Sequence, residues 1–401
     1  MVAAVIAFVD GQGWVGTLSK LRKRLLLFAP SLHGGGAERT LARLANHWTE
    51  QGRFVTVMTV AAAHSNDFPL LPGIERIGLG LAGNGGLLGK LPSNFSRIWA
   101  VREVIRDLRP EMVVSFIEQA NVLALLAARP LDVPVVVSER SDPAKHAISP
   151  PWPWLRRYTY PQAAAVVVLT KETAELISSF VPSDRITVIP NSVPAPPANP
   201  EPESNVPPEP IVLGVGRLSH EKGFDQLLEA VALLESRGTF SGWRLVLAGE
   251  GDARAALEEQ AAALPAGMVE FTGQVSDPNE WYRRASLFAL PSRYEGFPNA
   301  LLEAMAAGLP AVAFEDAATR QIIRHDWDGL LVPAGDVVAL ADALSTLMQN
   351  PTHRETLGRA ARDVSGRFAE QEIWSRWDAV VDQPSLQELS NSCSATGWPS
   401  E

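Results

Sequence analysis

The sequence predicts an α/β protein made of two doubly wound, Rossmann-like lobes facing a central cleft. Three observations carry this. Continuous apolar strand candidates alternate with helical stretches, the alternation halts at one proline-rich segment and restarts beyond it, and 401 residues exceed one ordinary core. The first lobe is read over 24–190. Strand candidates lie at 25–29, 54–60, 112–116, 134–138, 165–170 and 186–189, with helical spacing at Leu41, Leu44, Ala45 and Trp48 and again over 96–108. Because these strands are apolar throughout rather than alternating, they belong to a parallel sheet covered on both faces.

Residues 191–210 (NSVPAPPANPEPESNVPPEP) are too rich in proline to hold helix or sheet and mark the linker. The second lobe, 211–368, repeats the rhythm with strands at 211–216, 244–248, 269–272, 287–290 and 311–314, and a helix face at Phe224, Leu227, Leu228, Val231 and Leu234. A last helix at about 369–383 carries Trp374, Trp377 and Val380 at three-residue spacing. Residues 1–23 read as an N-terminal extension and 384–401 as a disordered tail.

Composition narrows the function. A formal net charge of -10 argues against a general nucleic-acid binder, so any phosphate is bound locally. The single cysteine, Cys393, rules out a disulfide framework and a thiolate zinc site. The apolar run 2–9 is short and follows no basic residues, so neither a spanning helix nor a secretory signal is read, and a cytoplasmic protein is expected. The cluster Trp152, Trp154, Leu155, Arg156, Arg157, Tyr158 and Tyr160 mixes aromatic and basic groups, the composition of a peripheral contact with an anionic membrane; a packed amphipathic helix has the same look.

The chemistry-bearing residues concentrate in the second lobe. In GVGRLSHEKGF a strand ends at Gly214–Arg217 and a helix is expected to begin near Glu221, so Gly216, Arg217 and Lys222 surround one strand-to-helix turn suited to an anion. In PSRYEGFPNALLEAMAAGLP, Pro298 suits a first helical turn and Gly308 with Pro310 a stop, giving a helix over about 299–307. Its free amides form an anion site, and phosphate is the natural guest. Glu295 before the helix and Glu303 one turn inside it are carboxylates for vicinal hydroxyls of a sugar or ribose.

These residues resemble the retaining GT-B glycosyltransferases of family 4, over residues 24 to about 380. The glutamate, seven residues, glutamate pattern falls on Glu295 and Glu303, and the GRL-x-x-x-KG turn on Arg217 and Lys222. The resemblance implies that Arg217 and Lys222 neutralise a nucleotide-sugar's diphosphate, that Glu303 holds the ribose, and that Glu295 contacts the donor hexose. It implies further that Gly296, Phe297, Pro298, Asn299 and Ala300 touch phosphate and sugar, that Gln274 and Val275 border the base, and that the last helix crosses back to the first lobe. Arg217, Lys222 and Glu295 are then the catalytic candidates, with Glu295 a binder rather than a nucleophile.

In the first lobe, LHGGGAERT lacks the third glycine of a dinucleotide motif, since Arg39 stands in its place, and a redox cofactor is disfavoured. The loop resembles the family's acceptor-side glycine loop, which puts Gly34, Gly35, Gly36, Glu38 and Arg39 at the acceptor mouth. VVVSERSDP follows a subgroup with Ser-Glu-Arg in place of a histidine, making Glu139 and Arg140 candidates for an acceptor hydroxyl or phosphate; His33 and His146 stay open as catalytic histidines. The implied partners are a UDP- or GDP-linked sugar and a glycan or polyprenyl-diphosphate-linked acceptor, at the inner face of the plasma membrane. No cofactor and no metal are expected, the acidic pair Asp326 and Asp328 being read as coincidence. A nucleotide-sugar epimerase or hydrolase on the same plan, and a non-catalytic sugar-binding relative, are the alternatives.

Overall fold

A computed structural model describes residues 23–82, 90–145, 149–193, 208–275 and 277–382, with side chains from residue 94 onward in the helix Lys90–Leu108. The extension 1–22, His146, most of the proline-rich linker and Cys393 with the tail lie outside the described residues.

The first lobe holds a seven-stranded parallel sheet: β1 (Arg24–Ala29), β2 (Phe54–Thr59), β3 (Glu75–Gly78), β4 (Met112–Phe116), β5 (Val135–Ser138), β6 (Ala165–Val168) and β7 (Ile186–Val188), in the order β3-β2-β1-β4-β5-β6-β7. The second holds six: β8 (Ile211–Val215), β9 (Arg244–Ala248), β10 (Val269–Gly273), β11 (Leu287–Leu290), β12 (Ala311–Phe314) and β13 (Gly329–Val332), ordered β10-β9-β8-β11-β12-β13. All pairings between these strands are parallel, for example Leu25 beside Val55 and Met112, and Val212 beside Leu245 and Leu287. Two strands escape the sequence reading. β3 is short with no buried position, and β13 is cut off by the polar turn at Asp326–Asp328, so neither offers a long apolar run.

Leu25, Leu27 and Val114 turn to one face of the first sheet and Leu26, Phe28 and Val113 to the other, each set in its own apolar layer. Every such buried leucine contributes about 1.5–3 kcal/mol relative to exposure. The last described helix, Glu370–Asp382, does not stay with the second lobe. Ile373, Trp374, Trp377, Val380 and Val381 join the first-lobe layer that holds Leu41, Leu44 and Trp48. Trp377 stacks on Phe116 at 5.6 Å, and Asp378 accepts from Trp48 Nε1 at 2.8 Å. The linker is shorter than the composition suggests, because Val193 is already pinned, its amide donating to the Phe368 carbonyl at 2.9 Å.

In both sheets the strand order reverses between two neighbours, β1 and β4 in one, β8 and β11 in the other. Connections leave these neighbours in opposite directions and open a crevice at their carboxyl ends, where open α/β sheets bind ligands. The loops after β1, β8 and β11 hold the glycine run, Arg217 with Lys222, and Glu295.

Candidate active site

At the end of β8 the chain does not enter a helix at Glu221 as the sequence suggests. His220–Lys222 form a single 3-10 turn, and the helix Phe224–Ser236 starts after Gly223. Gly223 is left-handed (φ +65°), and a Cβ there would stand 2.0 Å from the Pro291 carbonyl, so the β11 loop packs directly on this turn. That contact brings Lys222 to Glu295: Lys222 Nζ donates to Glu295 Oε1 at 2.6 Å, and Ser292 Oγ donates to the same oxygen at 2.7 Å. Arg217 is exposed on the same turn. Thus the cation assigned to the diphosphate and the acid assigned to the hexose are partners in the resting site.

The Glu295 backbone is also fixed, since its amide donates to Asp316 Oδ2 at 3.0 Å. Asp316 follows β12 and is buried, with Oδ1 accepting from the amides of Ala318 and Thr319 at 2.9 and 2.8 Å. Burial raises its pKa, the nearby Glu295 charge adding to the effect. Gly296 follows, and a Cβ on it would lie 2.1 Å from the Arg140 carbonyl of the opposite lobe. The helix Asn299–Ala306 then begins after Pro298 with no side-chain cap, leaving its first amides aimed at the cleft.

Glu303 lies one turn inside this helix. Its carboxylate accepts from the Tyr282 hydroxyl at 3.2 Å and from Arg39 of the first lobe. Burial raises its pKa while Arg39 and Tyr282 pull it back down. Gln274, which is exposed, and Val275 follow β10 at the carboxyl edge of the sheet.

Across the cleft, Gly34–Gly36 lead into the helix Gly36–Glu50, which also starts without a side-chain cap. Asn299 Nδ2 reaches the Gly36 carbonyl at 3.4 Å, so the two uncapped helix starts face each other. Glu38 accepts from Ser31 Oγ at 3.2 Å, and His33 pairs with Asp67 at 3.2 Å. Arg39 is not free at a mouth; it is the cross-lobe partner of Glu303.

Glu139 departs furthest from expectation. Rather than lining an acceptor mouth, its side chain is wholly buried, accepting from the Tyr160 hydroxyl at 2.9 Å and Ser141 Oγ at 3.1 Å, with Arg156 3.6 Å away. Burial, reinforced by Glu118, raises its pKa to about 7. A polar residue ending an apolar strand gives no sign in sequence of which way it turns. Arg140 does reach the cleft, donating to Asn191 with its guanidinium 5.0 Å from the Phe116 ring.

Asn191, Asp316 and Tyr282 are site residues that sequence reasoning missed. Asn191 Nδ2 donates to the Phe297 carbonyl at 2.9 Å, so it ties Arg140 to the loop after β11, yet in sequence it is only the start of a proline-rich run. Asp316 carried a signal, an acid three residues before Thr319 at a helix start. Tyr282 carried none. The acidic pair Asp326 and Asp328 is divided by the fold: Asp328 is buried in ion pairs with Arg324 at 2.7 Å and Arg367 at 3.3 Å.

Two family models match most of each lobe. The model described as glycosyl transferases group 1 matches residues 197–364, and the glycosyl transferase 4-like domain matches 35–192. The chain is a family 4 glycosyltransferase of the GT-B fold. Among similar glycosyltransferases is one of Campylobacter jejuni that adds α-1,4-N-acetyl-D-galactosamine to an undecaprenol-PP-linked glycan. It is 28% identical over 88% of this chain and 96% of its own. The amylovoran biosynthesis glycosyltransferase AmsD of Erwinia amylovora is 24% identical over 90% of this chain and 99% of its own. Anabaena Alr3699/HepE with UDP-glucose shares the fold, with TM-score 0.74 and 19% identity over 90% of this chain and 100% of that one. So does a sucrose-phosphate synthase from Thermosynechococcus elongatus, with TM-score 0.73 and 21% identity over 90% and 99%.

Proposed function

We propose that this glycosyltransferase moves a hexose, with retention of anomeric configuration, from a UDP- or GDP-linked donor to a glycan or polyprenyl-diphosphate-linked acceptor in cell-surface polysaccharide assembly. The observation that carries the reading is that Arg217 and Lys222 follow β8 and the uncapped start of the helix Asn299–Ala306 follows β11, the two strands at which the order of the second sheet reverses, with Lys222 bonded to Glu295 of the β11 loop. As the bond to the leaving diphosphate breaks, charge grows on its oxygens, and these groups stabilise that charge more in the transition state than in the ground state. Glu303 holds the ribose and Glu295 the hexose. Lys222 exchanges its Glu295 partner for phosphate, which leaves Glu295 to accept from sugar hydroxyls. The names of the relatives support the acceptor class, and UDP is the nucleotide bound in a neighbour of the same fold.

The test is a screen of UDP- and GDP-sugars with short lipid-linked acceptors, followed by NMR of the product anomer. Acceptor-dependent product with an α-linkage from an α-donor supports the reading; donor breakdown that ignores the acceptor defeats it. The same reading assigns the charge stabilisation to cationic side chains without a metal, so turnover persists in a chelator, and loss rescued by magnesium or manganese contradicts it.

The reading includes a peripheral membrane contact. Trp154 and Tyr158 are stacked and exposed on the helix Trp152–Thr159, flanked by exposed Arg157 and Arg129. Among the described residues no helix is long and apolar enough to cross a membrane. Aromatic rings beside cations suit an anionic interface. Flotation with anionic vesicles at low salt, lost in W154A, checks it; no flotation of the wild-type protein removes it.

A further inference from the structure

The Glu303 carboxylate has both oxygens engaged in the resting protein. Oε1 accepts from Arg39 Nη2 across the cleft, and Oε2 accepts from the Tyr282 hydroxyl at 3.2 Å. The Glu303 side chain is only 13% exposed, so two vicinal hydroxyls cannot reach it while the guanidinium stays in place. Its two partners differ in how readily they leave. Tyr282 is fully buried in the same lobe as Glu303, packed edge-on against Phe288 at 6.2 Å. Arg39 is the exchangeable one, a third exposed, on a flexible stem and anchored in the opposite lobe. Arg43, one turn further along the same helix, adds its charge near Glu303 but no hydrogen bond to it, its guanidinium being paired with Glu370 at 2.5 Å. The neighbouring cross-lobe contact, Asn299 to Gly36, is long at 3.4 Å and uncharged, which leaves Arg39 as the charged tie at this point.

We propose that Arg39 gates the nucleotide: its guanidinium and the donor's ribose compete for the Glu303 carboxylate, so that entry of the ribose unlatches the two lobes here. The inference rests on Glu303 being the ribose holder and adds who occupies that position beforehand. A competitor removed is affinity gained. A partly exposed ion pair is worth up to about 1 kcal/mol, which as a fold-change is up to about fivefold.

The experiment titrates uridine diphosphate, or guanosine diphosphate if that is the one that binds, into the full chain by calorimetry, beside the 2′,3′-dideoxy nucleotide. In R39M the ordinary nucleotide binds about threefold tighter than in wild type, while the dideoxy nucleotide, having no hydroxyls to compete with Arg39, binds both proteins alike. R39K, which keeps a charge but loses the fork, falls between, and serves alone if R39M does not fold. E303A separates the two ideas. If it abolishes the preference for the ordinary over the dideoxy nucleotide while the Arg39 variants bind as wild type or more weakly, the gate is overturned and the ribose assignment stands. Should E303A leave that preference intact, the ribose assignment falls and the gate with it.

Discussion

Each lobe meets the cleft with the same device, a strand, a loop and an uncapped helix start beside the point where strand order reverses, yet the two loops are held very differently. The loop after β11 is fixed on every side: the Glu295 amide by Asp316, its carboxylate by Lys222 and Ser292, Gly296 by the Arg140 carbonyl, and the Phe297 carbonyl by Asn191. The loop after β1 is held in part by its own helix and has one unconstrained point. Gly34 has nothing within 4 Å of the position a side chain would take, while Glu38 accepts from Ser31, His33 pairs with Asp67, and the Gly36 carbonyl accepts from Thr40 and, at 3.4 Å, from Asn299 across the cleft. A rigid loop suits the part of a substrate that every turnover shares, the diphosphate, whose charge must be met by groups already in place. A loop tied mainly to its own lobe, with one unconstrained glycine, leaves room to adjust to the partner substrate.

The sharpest way to break this contrast is to remove a group from each side. K222A withdraws the cation that is bonded to Glu295 and that we propose meets the diphosphate, and kcat/KM is expected to fall by about 2–4 kcal/mol of transition-state stabilisation, roughly 30- to 1000-fold. S31A frees Glu38 on the first-lobe side and costs about 1 kcal/mol or less, the net worth of one half-buried hydrogen bond. Steady-state kinetics of the two variants side by side decide the matter: a penalty for S31A equal to that for K222A ends the distinction.

The same contrast explains what could be read from sequence. That Arg217 and Lys222 lie on the turn after β8, Glu295 on the loop after β11, and a helix start at Asn299 was legible because turn chemistry fixes these places locally, whatever the rest of the fold does. Most strands were legible from apolar runs, and β3 and β13 were not, because short strands without such runs gain their place from neighbours. The failures cluster where lobes or layers meet. Which way Glu139 turns, that Arg39 crosses to Glu303, and that Asn191 joins the loop after β11 all depend on contacts between residues 17 to 264 positions apart, such as Asn121 with Ser138 beneath Glu139 and Arg39 with Glu303. Periodicity carries no information at that range.

Gly296 probes the seam between the lobes. An alanine Cβ would stand 2.1 Å from the Arg140 carbonyl and 3.3 Å from Leu169 Cδ1, both first-lobe atoms, so the strain falls where the lobes meet, at the edge of the apolar cluster that Leu169 shares with Phe297 and Leu301. Overpacking of this size costs about 1–3 kcal/mol, and parting the lobes relieves it without unfolding either one. G296A is therefore expected to lose about tenfold or more in kcat while its melting temperature stays close to wild type. Equal losses in activity and melting temperature would place the strain inside a lobe and contradict the seam.

An effect on stability rather than on turnover concerns Glu139, the acid that the first lobe turned inward. Burial first, then the Glu118 charge, lift its pKa from 4.5 to about 7 against the pull of Arg156, Tyr160 and Ser141. The folded state therefore holds this proton more tightly than the unfolded chain does. The stability linked to it is complete below about pH 4.5 and is lost as pH rises through about 7. Glutamine imitates the protonated acid and keeps an oxygen for Tyr160, so E139Q should match wild type near pH 4.5 and exceed it at pH 8 by on the order of 1–3 kcal/mol. Melting curves across that range check the sign. An E139Q protein that loses stability relative to wild type as pH rises would mean that the ionised carboxylate, anchored by Arg156, is the form the fold prefers, and would return Glu139 to the charged machinery of the cleft.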